Sequence, residues 1–192
     1  MQDRIYLAST SPRRRDLLRQ IGVRFDPLVF RSGERGDDMD VDETPFPGEA
    51  AERYVERLAL TKATAGFRRL DWRKLPSRPV LAAATTLSVD GDIVGKPDSL
   101  EHAAEILARL SGRTHQVLTA IAMSNGERTR SLVSVSDVRF RELSSTDIRH
   151  YLAAGESMDK AGAYAIQGRA AMFVAHISGS YSGIMGLPLH ET

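Results

Sequence analysis

The chain has 192 residues, no cysteine and a formal net charge of +1 from 26 basic and 25 acidic side chains. These numbers exclude a disulfide framework and thiolate chemistry, and they give no broad electrostatic basis for binding nucleic acid. Neither a signal-peptide pattern nor an apolar run of about 20 residues occurs, so we expect a cytoplasmic protein without a membrane partner. The length suits one large domain or two small lobes that share a core.

The N-terminal segment predicts a strand, a tight turn and a helix. The apolar run 5–8 stops at hydroxyl residues and Pro12, and apolar residues then recur on one helical face until Gly22. We expect Ser11 to cap this helix. Free backbone N–H groups and the arginines at 13–15 would place positive charge at one point. They indicate either an anion site or a helix with solvated arginines.

Strands and helices alternate along the rest of the chain, which predicts an α/β fold with a mixed sheet. The polar segment 31–48 is longer than most loops in compact domains, which is typical of a functional loop. Hairpins are expected at 90–92 and at Asn125–Gly126. The predicted strands are 23–30, 80–89, 115–124, 129–140 and 171–177, with a short return strand ending near Val94, and the predicted helices are 49–67, 99–110 and 143–153.

Several polar side chains lie at predicted strand ends and in glycine-bounded turns, where a sheet protein places its cleft. Lys62 falls on the apolar stripe of its helix, so it either extends to solvent or meets an anion. Four of these groups are cations, which suits a phosphate chain carrying Mg²⁺. No GxxxxGK[ST], GxGxxG or GxSxG motif provides another explanation. The set comprises Ser9, Arg13, Arg14, Lys62, Lys96, Gln167 and the carboxylates of the loop around Glu34.

Five stretches in the same order resemble the Maf family of nucleoside triphosphate pyrophosphatases: residues 7–14, 95–97, 110–117, 159–168 and 186–189. The resemblance covers essentially the whole chain. It implies a two-lobed Maf/ITPase-like α/β fold, with a mixed β-sheet flanked by helices and an active-site cleft between the lobes, as a single domain over residues 1–192. It also implies hydrolysis of a nucleoside triphosphate to the monophosphate and pyrophosphate with Mg²⁺ or Mn²⁺, and a homodimer.

Within the family, residues 160–168 are similar to the branch that acts on dTTP and UTP. The resemblance implies that Arg13, Thr85 and Gln167 govern pyrimidine choice. It also implies that Ser9, Arg14, Lys62 and Lys96 hold phosphate, with Lys96 also in a catalytic role, and that Glu34 is a catalytic acidic residue at the metal. A nucleotide-pool house-cleaning role follows, with normal and modified pyrimidine nucleotides both open as substrates. A non-catalytic nucleotide-binding regulator of cell division is the alternative.

The chain departs from the family pattern at Ala84, where the family has an aspartate that accepts the proton of the attacking water. A methyl group cannot accept a proton or bind a metal. We therefore expect this chain to bind nucleotide and turn it over barely or not at all. Because the other site residues are in place, we favour a deliberate substitution that traps substrate over natural loss leaving a binding protein.

Overall fold

A computed structural model of the protein describes residues 4–29 and 41–192. The helices are α1 (Pro12–Gln20), α2 (Ala51–Trp72), α3 (Leu100–Leu110), α4 (Ser145–Ala153) and α5 (Tyr181–Met185). The strands are β1 (Ile5–Leu7), β2 (Phe25–Pro27), β3 (Val80–Val89), β4 (Asp92–Val94), β5 (Thr114–Ser124), β6 (Thr129–Phe140) and β7 (Val174–Ser178). Glu34 lies outside the described residues.

In the described ranges, seven strands form one mixed sheet in the order β2-β1-β3-β5-β6-β7, with β4 paired to β3. β5 runs antiparallel along residues 80–88 of β3 and so covers one edge of that strand. Two strands share the opposite edge of β3: β1 pairs with residues 80–81 of β3, and β4 pairs with residues 87–89. Residues 82–86 of β3 therefore lie in a gap between β1 and β4. This gap opens the sheet at the position of Ala84.

In the part of the chain that the structure describes, buried apolar side chains form three clusters around the sheet. One cluster packs α2 against β1, β3 and β5, and Val55, Leu58 and Ala59 lie at its centre as their helical spacing predicts. A second lies between α3, α4 and the far half of the sheet. The third joins Leu17 and Leu18 of α1 to the opposite face of β3 and β5. The helices thus cover both faces of the sheet, which confirms the predicted α/β architecture.

The N-terminal prediction is confirmed with one correction. Pro12 takes the first position of α1 and Gly22 follows the helix end with φ of 73°. Ser11 occupies the N-cap position, but its side chain makes no capping hydrogen bond. Its backbone N–H instead donates to the hydroxyl of Ser9 over 3.2 Å. The turn is therefore closed by Ser9, which is also one of the predicted site residues.

Several predicted boundaries are wrong. The strand predicted at 23–30 is limited to Phe25–Pro27 within the described residues. Helix α2 continues through 68–72, predicted as a connector, because Arg69 and Leu70 are buried against the sheet. The last strand begins at Val174, since a 3-10 turn occupies Arg169–Phe173. The segment predicted as a loop before residue 186 contains the short helix α5. None of the described helices combines the length and the apolar character needed to cross a membrane.

Candidate active site

A cleft of about 820 Å³ opens over the gap between β1 and β4, within the size range of small-molecule sites. The predicted site residues come together here, although they arise from distant parts of the chain. Those that line the cleft are Ser9, Arg13, Arg14, Lys62, Ala84, Thr85, Lys96 and Gln167. Glu34 is the remaining one and lies outside the described residues. The structure therefore concentrates the four predicted cationic side chains around one concave surface, and Lys160 also lines it.

Arg14 is held on one wall of the cleft by three hydrogen bonds. Its Nε donates to the carbonyl of Gly186 over 2.7 Å, and its Nη1 donates to the Ser9 hydroxyl over 3.1 Å. Its Nη2 donates to Oγ1 of Thr85 over 3.2 Å. Burial lowers the pKa of Arg14 to about 10, with a further lowering from the charge of Arg13 and an opposing effect of Glu43. The guanidinium therefore remains charged at neutral pH in an oriented position.

Of the two alternatives predicted for Lys62, extension to solvent or contact with an anion, the structure shows contact with an anion. The lysine side chain is only 14% exposed, and its Nζ forms an ion pair with the carboxylate of Glu43. Burial by itself would raise the pKa of Glu43, but Lys62, and then Lys96 and Arg14, bring it below its ordinary value. Glu43 is therefore an ionised carboxylate surrounded by the cations of the cleft.

The segment that carries Glu43 is attached to α2 by a group of side chains. Tyr54 donates its hydroxyl proton to the carbonyl of Glu43 over 2.7 Å. Arg57 donates to both carboxylate oxygens of Glu49 over 2.7 Å and to the carbonyl of Thr44 over 3.2 Å. This hydrogen bonding lowers the pKa of Glu49 to about 2. The segment is thus held at the carbonyl of Glu43 and on its C-terminal side, next to the ion pair of the Glu43 carboxylate with Lys62.

Ala84 and Thr85 lie side by side in β3 with their side chains on opposite faces of the sheet. Ala84 is 4% exposed and belongs to the cluster formed with α2, whereas Thr85 bonds Arg14 on the other face. Asp90 and Asp92 lie beyond the end of β3, and their carboxylates pair with Arg113 and Arg109 at the hairpin. They are therefore committed away from the cleft, as expected from their place in the sequence.

The remaining wall of the cleft is the glycine-bounded segment 159–168. Tyr164 of this segment is buried, and its hydroxyl lies 2.8 Å from Nε2 of His115 in β5. The two rings meet edge to face with centroids 5.5 Å apart. Gly162 has φ of 72°, and a Cβ there would collide with the side chain of Leu87. The backbone of this wall is therefore positioned by the buried cluster beneath it.

The pH dependence of stability should report on His115. Burial lowers its pKa from 6.5 to about 4, so the unfolded chain binds a proton that the folded chain excludes between these values. Stability is then present above pH 6.5 and is lost as the pH falls towards 4. We expect the free energy of unfolding in urea to fall by about 2 kcal/mol between pH 7 and pH 5 on account of this residue.

The variant His115→Gln should abolish that part of the pH dependence, because glutamine does not titrate and can still bond Tyr164. His150→Gln, at an exposed histidine of α4, is the matched control and should leave the pH dependence unchanged. An equal loss of stability on acidification in the unaltered chain and in His115→Gln would contradict this account.

The carboxylates offer limited metal-binding capacity. Within residues 4–29 and 41–192, no group of three or more His, Asp or Glu side chains is arranged to hold a metal ion. The two described carboxylates that line the cleft are Glu43 and Asp159, and each is paired with a lysine. They do not form a dedicated cage. Two such carboxylates suit a site in which Mg²⁺ takes most of its ligands from substrate phosphates and water and one carboxylate from the protein.

Two residues that contact the predicted site residues were not singled out from the sequence. Glu43 is one of many acidic residues in a long polar segment, and only the fold shows that it faces Lys62. Thr119 is fully buried in β5, where a threonine is ordinary strand composition. Its hydroxyl lies 2.8 Å from that of Thr85. A lysine on an apolar stripe is a signal that a counter-ion is needed, but it does not say which carboxylate provides it.

The family model described as Maf-like protein matches residues 4–192. A dTTP/UTP pyrophosphatase of Aromatoleum aromaticum is 68% identical over 100% of this chain and 93% of its own. A dTTP/UTP pyrophosphatase of Dechloromonas aromatica is 56% identical over 98% of this chain and 94% of its own. The solved structure of the Staphylococcus aureus Ham1 protein aligns with 72% of each chain, at 20% identity and a TM-score of 0.49. This chain belongs to the Maf-like protein family.

Proposed function

We propose that the cleft is the active site of a nucleoside triphosphate pyrophosphatase that converts dTTP and UTP to their monophosphates and pyrophosphate. The observation that carries the proposal is the convergence of Arg13, Arg14, Lys62 and Lys96 on the gap in the sheet where Ala84 lies. A triphosphate is a compact polyanion, and fixed cations in a partly closed site stabilise the charge that develops as it is cleaved. The names of the similar proteins support the same substrates.

The reaction places definite demands on the cleft. Water attacks the α-phosphorus, the bond between that phosphorus and the α–β bridging oxygen breaks, and pyrophosphate leaves with the bonding electrons. The proton of the attacking water must pass to a base. Arg14 and Lys62 lie on opposite faces of β3 and can hold the phosphates from two sides. The methyl group of Ala84 offers no lone pair, so we propose that this chain binds nucleotide with little turnover.

We also propose a divalent cation, Mg²⁺ or Mn²⁺, as the cofactor. It would be carried mainly by the triphosphate, with Glu43 as the carboxylate that the described residues provide and Glu34 as the one that the family resemblance assigns. Bound there, it would neutralise phosphate charge and polarise the phosphoryl group. The proposed specificity residues are Arg13, Thr85 and Gln167; of these, Gln167 is exposed at the mouth of the cleft.

Product analysis of the Ala84→Asp variant tests the proposed function. We expect dTTP and UTP to give monophosphate and pyrophosphate, and GTP to be cleaved more slowly, because a pocket that hydrogen-bonds a pyrimidine leaves polar groups unpaired with a purine. Chromatography of the nucleotides with separate assays for pyrophosphate and orthophosphate decides between the two cleavage positions. Nucleoside diphosphate with orthophosphate would contradict the reaction class.

The variant Gln167→Ala, in the Ala84→Asp background, should reduce the preference for dTTP over GTP. Gln116→Ala is the matched control, because Gln116 is an exposed glutamine of β5 that does not line the cleft. Equal rates with dTTP and GTP before Gln167 is changed would refute the pyrimidine assignment.

The alternative, a regulator that binds nucleotide without cleaving it, gains support only from the alanine at position 84. The similar proteins are named for an activity, which favours the enzyme. Binding of dTTP with no turnover in the Ala84→Asp variant would favour the regulator instead. A homodimer is part of the proposal, and light scattering coupled to size-exclusion chromatography measures it directly.

A further inference from the structure

We propose that Thr119 is a positioning residue for Arg14, acting through the hydroxyl of Thr85. Thr119 contributes no surface to the cleft, since it is fully buried in β5. Its Oγ1 lies 2.8 Å from Oγ1 of Thr85 and 2.8 Å from the carbonyl oxygen of Gly183. The inference rests on the proposed function, because it assumes that Arg14 holds phosphate.

Hydrogen bonds connect Arg14 through two threonine hydroxyls to the carbonyl of Gly183. The guanidinium can only donate and the carbonyl can only accept, so these two groups determine the direction of every bond between them. A threonine hydroxyl has one proton, and the carbonyl of Gly183 can only accept, so Thr119 donates to Gly183. Thr119 must then accept from Thr85, whose own proton is thereby used. The Thr85 oxygen is left as an acceptor and receives the Nη2 proton of Arg14 over 3.2 Å.

This arrangement makes the Thr85 oxygen a fixed acceptor for the guanidinium. Without Thr119, the Thr85 hydroxyl could rotate and direct its proton elsewhere, and its lone pairs would no longer be held towards Arg14. The Thr85 proton is also unavailable to a nucleotide, so any contact of this hydroxyl with substrate is as an acceptor. Thr119 therefore determines what Thr85 can do in the cleft.

The same groups attach Arg14 twice to the C-terminal segment. Its Nε donates directly to the carbonyl of Gly186, and the hydroxyls of Thr85 and Thr119 connect it to the carbonyl of Gly183. Gly186 has φ of 111°, and a Cβ there would lie 3.5 Å from both Arg14 Nε and Thr85 Oγ1. Four elements, α1, β3, β5 and α5, thus meet at one guanidinium, and Thr119 is the buried contact among them.

Binding of inorganic tripolyphosphate, measured by calorimetry on the chain with Ala84, tests the proposal without turnover. We expect Thr119→Val to weaken binding about tenfold, because it removes the hydroxyl while nearly preserving shape. Thr119→Ser keeps the hydroxyl and should remain within about twofold of the unaltered chain. Thr129→Val is the matched control: it removes a hydroxyl that bonds Ser124 at the far end of the sheet, and it should not change binding.

A double-mutant cycle separates positioning from general loosening of the fold. If Thr119 acts through Arg14, Thr119→Val should change binding by less than about twofold once Arg14→Ala is present. Equal losses in both backgrounds would overturn the proposal. So would unchanged binding in Thr119→Val when Arg14→Ala alone weakens it. Unchanged binding in Arg14→Ala would remove the phosphate role of Arg14, and the inference would fall with it.

Should Thr119→Val fail to fold, Thr85→Val provides the second test, since it removes the middle hydroxyl while Thr119 still donates to Gly183. It should weaken tripolyphosphate binding to the same extent and show the same dependence on Arg14; retention of full affinity would overturn the proposal. In the Ala84→Asp background, Thr119→Val should raise the KM for dTTP and lower kcat, with recovery in Thr119→Ser. If that background shows no pyrophosphatase activity but the binding cycle holds, the proposed function fails and the positioning role of Thr119 stands.

Discussion

Ala84→Asp should raise the rate of dTTP hydrolysis with Mg²⁺ by about 10² to 10⁴ relative to the unaltered chain, which is the usual contribution of one general base. Position 84 lies in the uncovered part of β3, at the floor of the cleft and within the cluster that includes α2. Lys62, extending from α2, provides positive charge near that face. A carboxylate at this position would therefore be stabilised as an anion and could accept the proton of the attacking water.

Ala84→Asn is the control for this prediction, because the amide has nearly the same shape and cannot serve as the base. It should remain as slow as the unaltered chain in steady-state assays of pyrophosphate release. Among the described residues, each nearby carboxylate is already paired with a cation. Glu43 and Asp159 pair with lysines. Asp90 and Asp92 pair with arginines at the hairpin. If the unaltered chain and Ala84→Asp hydrolyse dTTP equally fast, the assignment of the base is wrong.

Glu43→Gln, in the Ala84→Asp background, should lower kcat/KM for dTTP by about 10- to 100-fold, the range typical of residues that orient charged groups at a reaction site. The change removes the negative charge that pairs with Lys62 and is influenced by Lys96 and Arg14. Lys62 would then lose its fixed position, and a metal bound in the cleft would lose the carboxylate that Glu43 provides. Steady-state kinetics at several Mg²⁺ concentrations separates a change in metal requirement from a change in phosphate binding.

Asp42→Asn is the matched control, since this exposed neighbour accepts a hydrogen bond from the backbone N–H of Thr44 over 2.9 Å and does not line the cleft. Glu34→Gln should be measured in parallel, because the family resemblance assigns the acidic role to Glu34, whereas Glu43 is the carboxylate that pairs with Lys62 among the described residues. A large loss in Glu34→Gln with little change in Glu43→Gln would return that role to Glu34.

Much of the secondary structure could be predicted because its causes are local. The spacing of apolar residues and the cap at Ser99, whose hydroxyl accepts from the N–H of His102, define α3. The Asn125–Gly126 turn sets the register between β5 and β6. The helix α5 could not be predicted in this way. The carbonyl of Gly183 in α5 accepts a hydrogen bond from Thr119, and that of Gly186 at its C-cap accepts one from Arg14. Both donors are remote in sequence, and the Ser and Gly residues of α5 have weak helix propensity.

The residues of the candidate site likewise fall into those that the sequence could identify and those that only the tertiary structure revealed. Residue types at strand ends and in turns, with the family resemblance, identified the cations, Thr85, Gln167 and the anomalous Ala84, and the cleft brings these together. Residue type says little about a carboxylate in a long acidic segment or a threonine inside a strand, so Glu43 and Thr119 emerged only from their contacts.

By itself, therefore, the amino-acid sequence determined the alternation of elements, the mixed sheet and the chemical groups available for binding a polyanion. The tertiary structure alone decided that β1 and β4 leave part of β3 uncovered, that Glu43 faces Lys62, and that hydroxyl protons are directed from Arg14 towards the C-terminal segment. The physical reason is the range of the interactions. Capping and periodicity act over a few residues, whereas the contacts of Lys62 with Glu43 and of Arg14 with Gly186 join residues 19 and 172 positions apart.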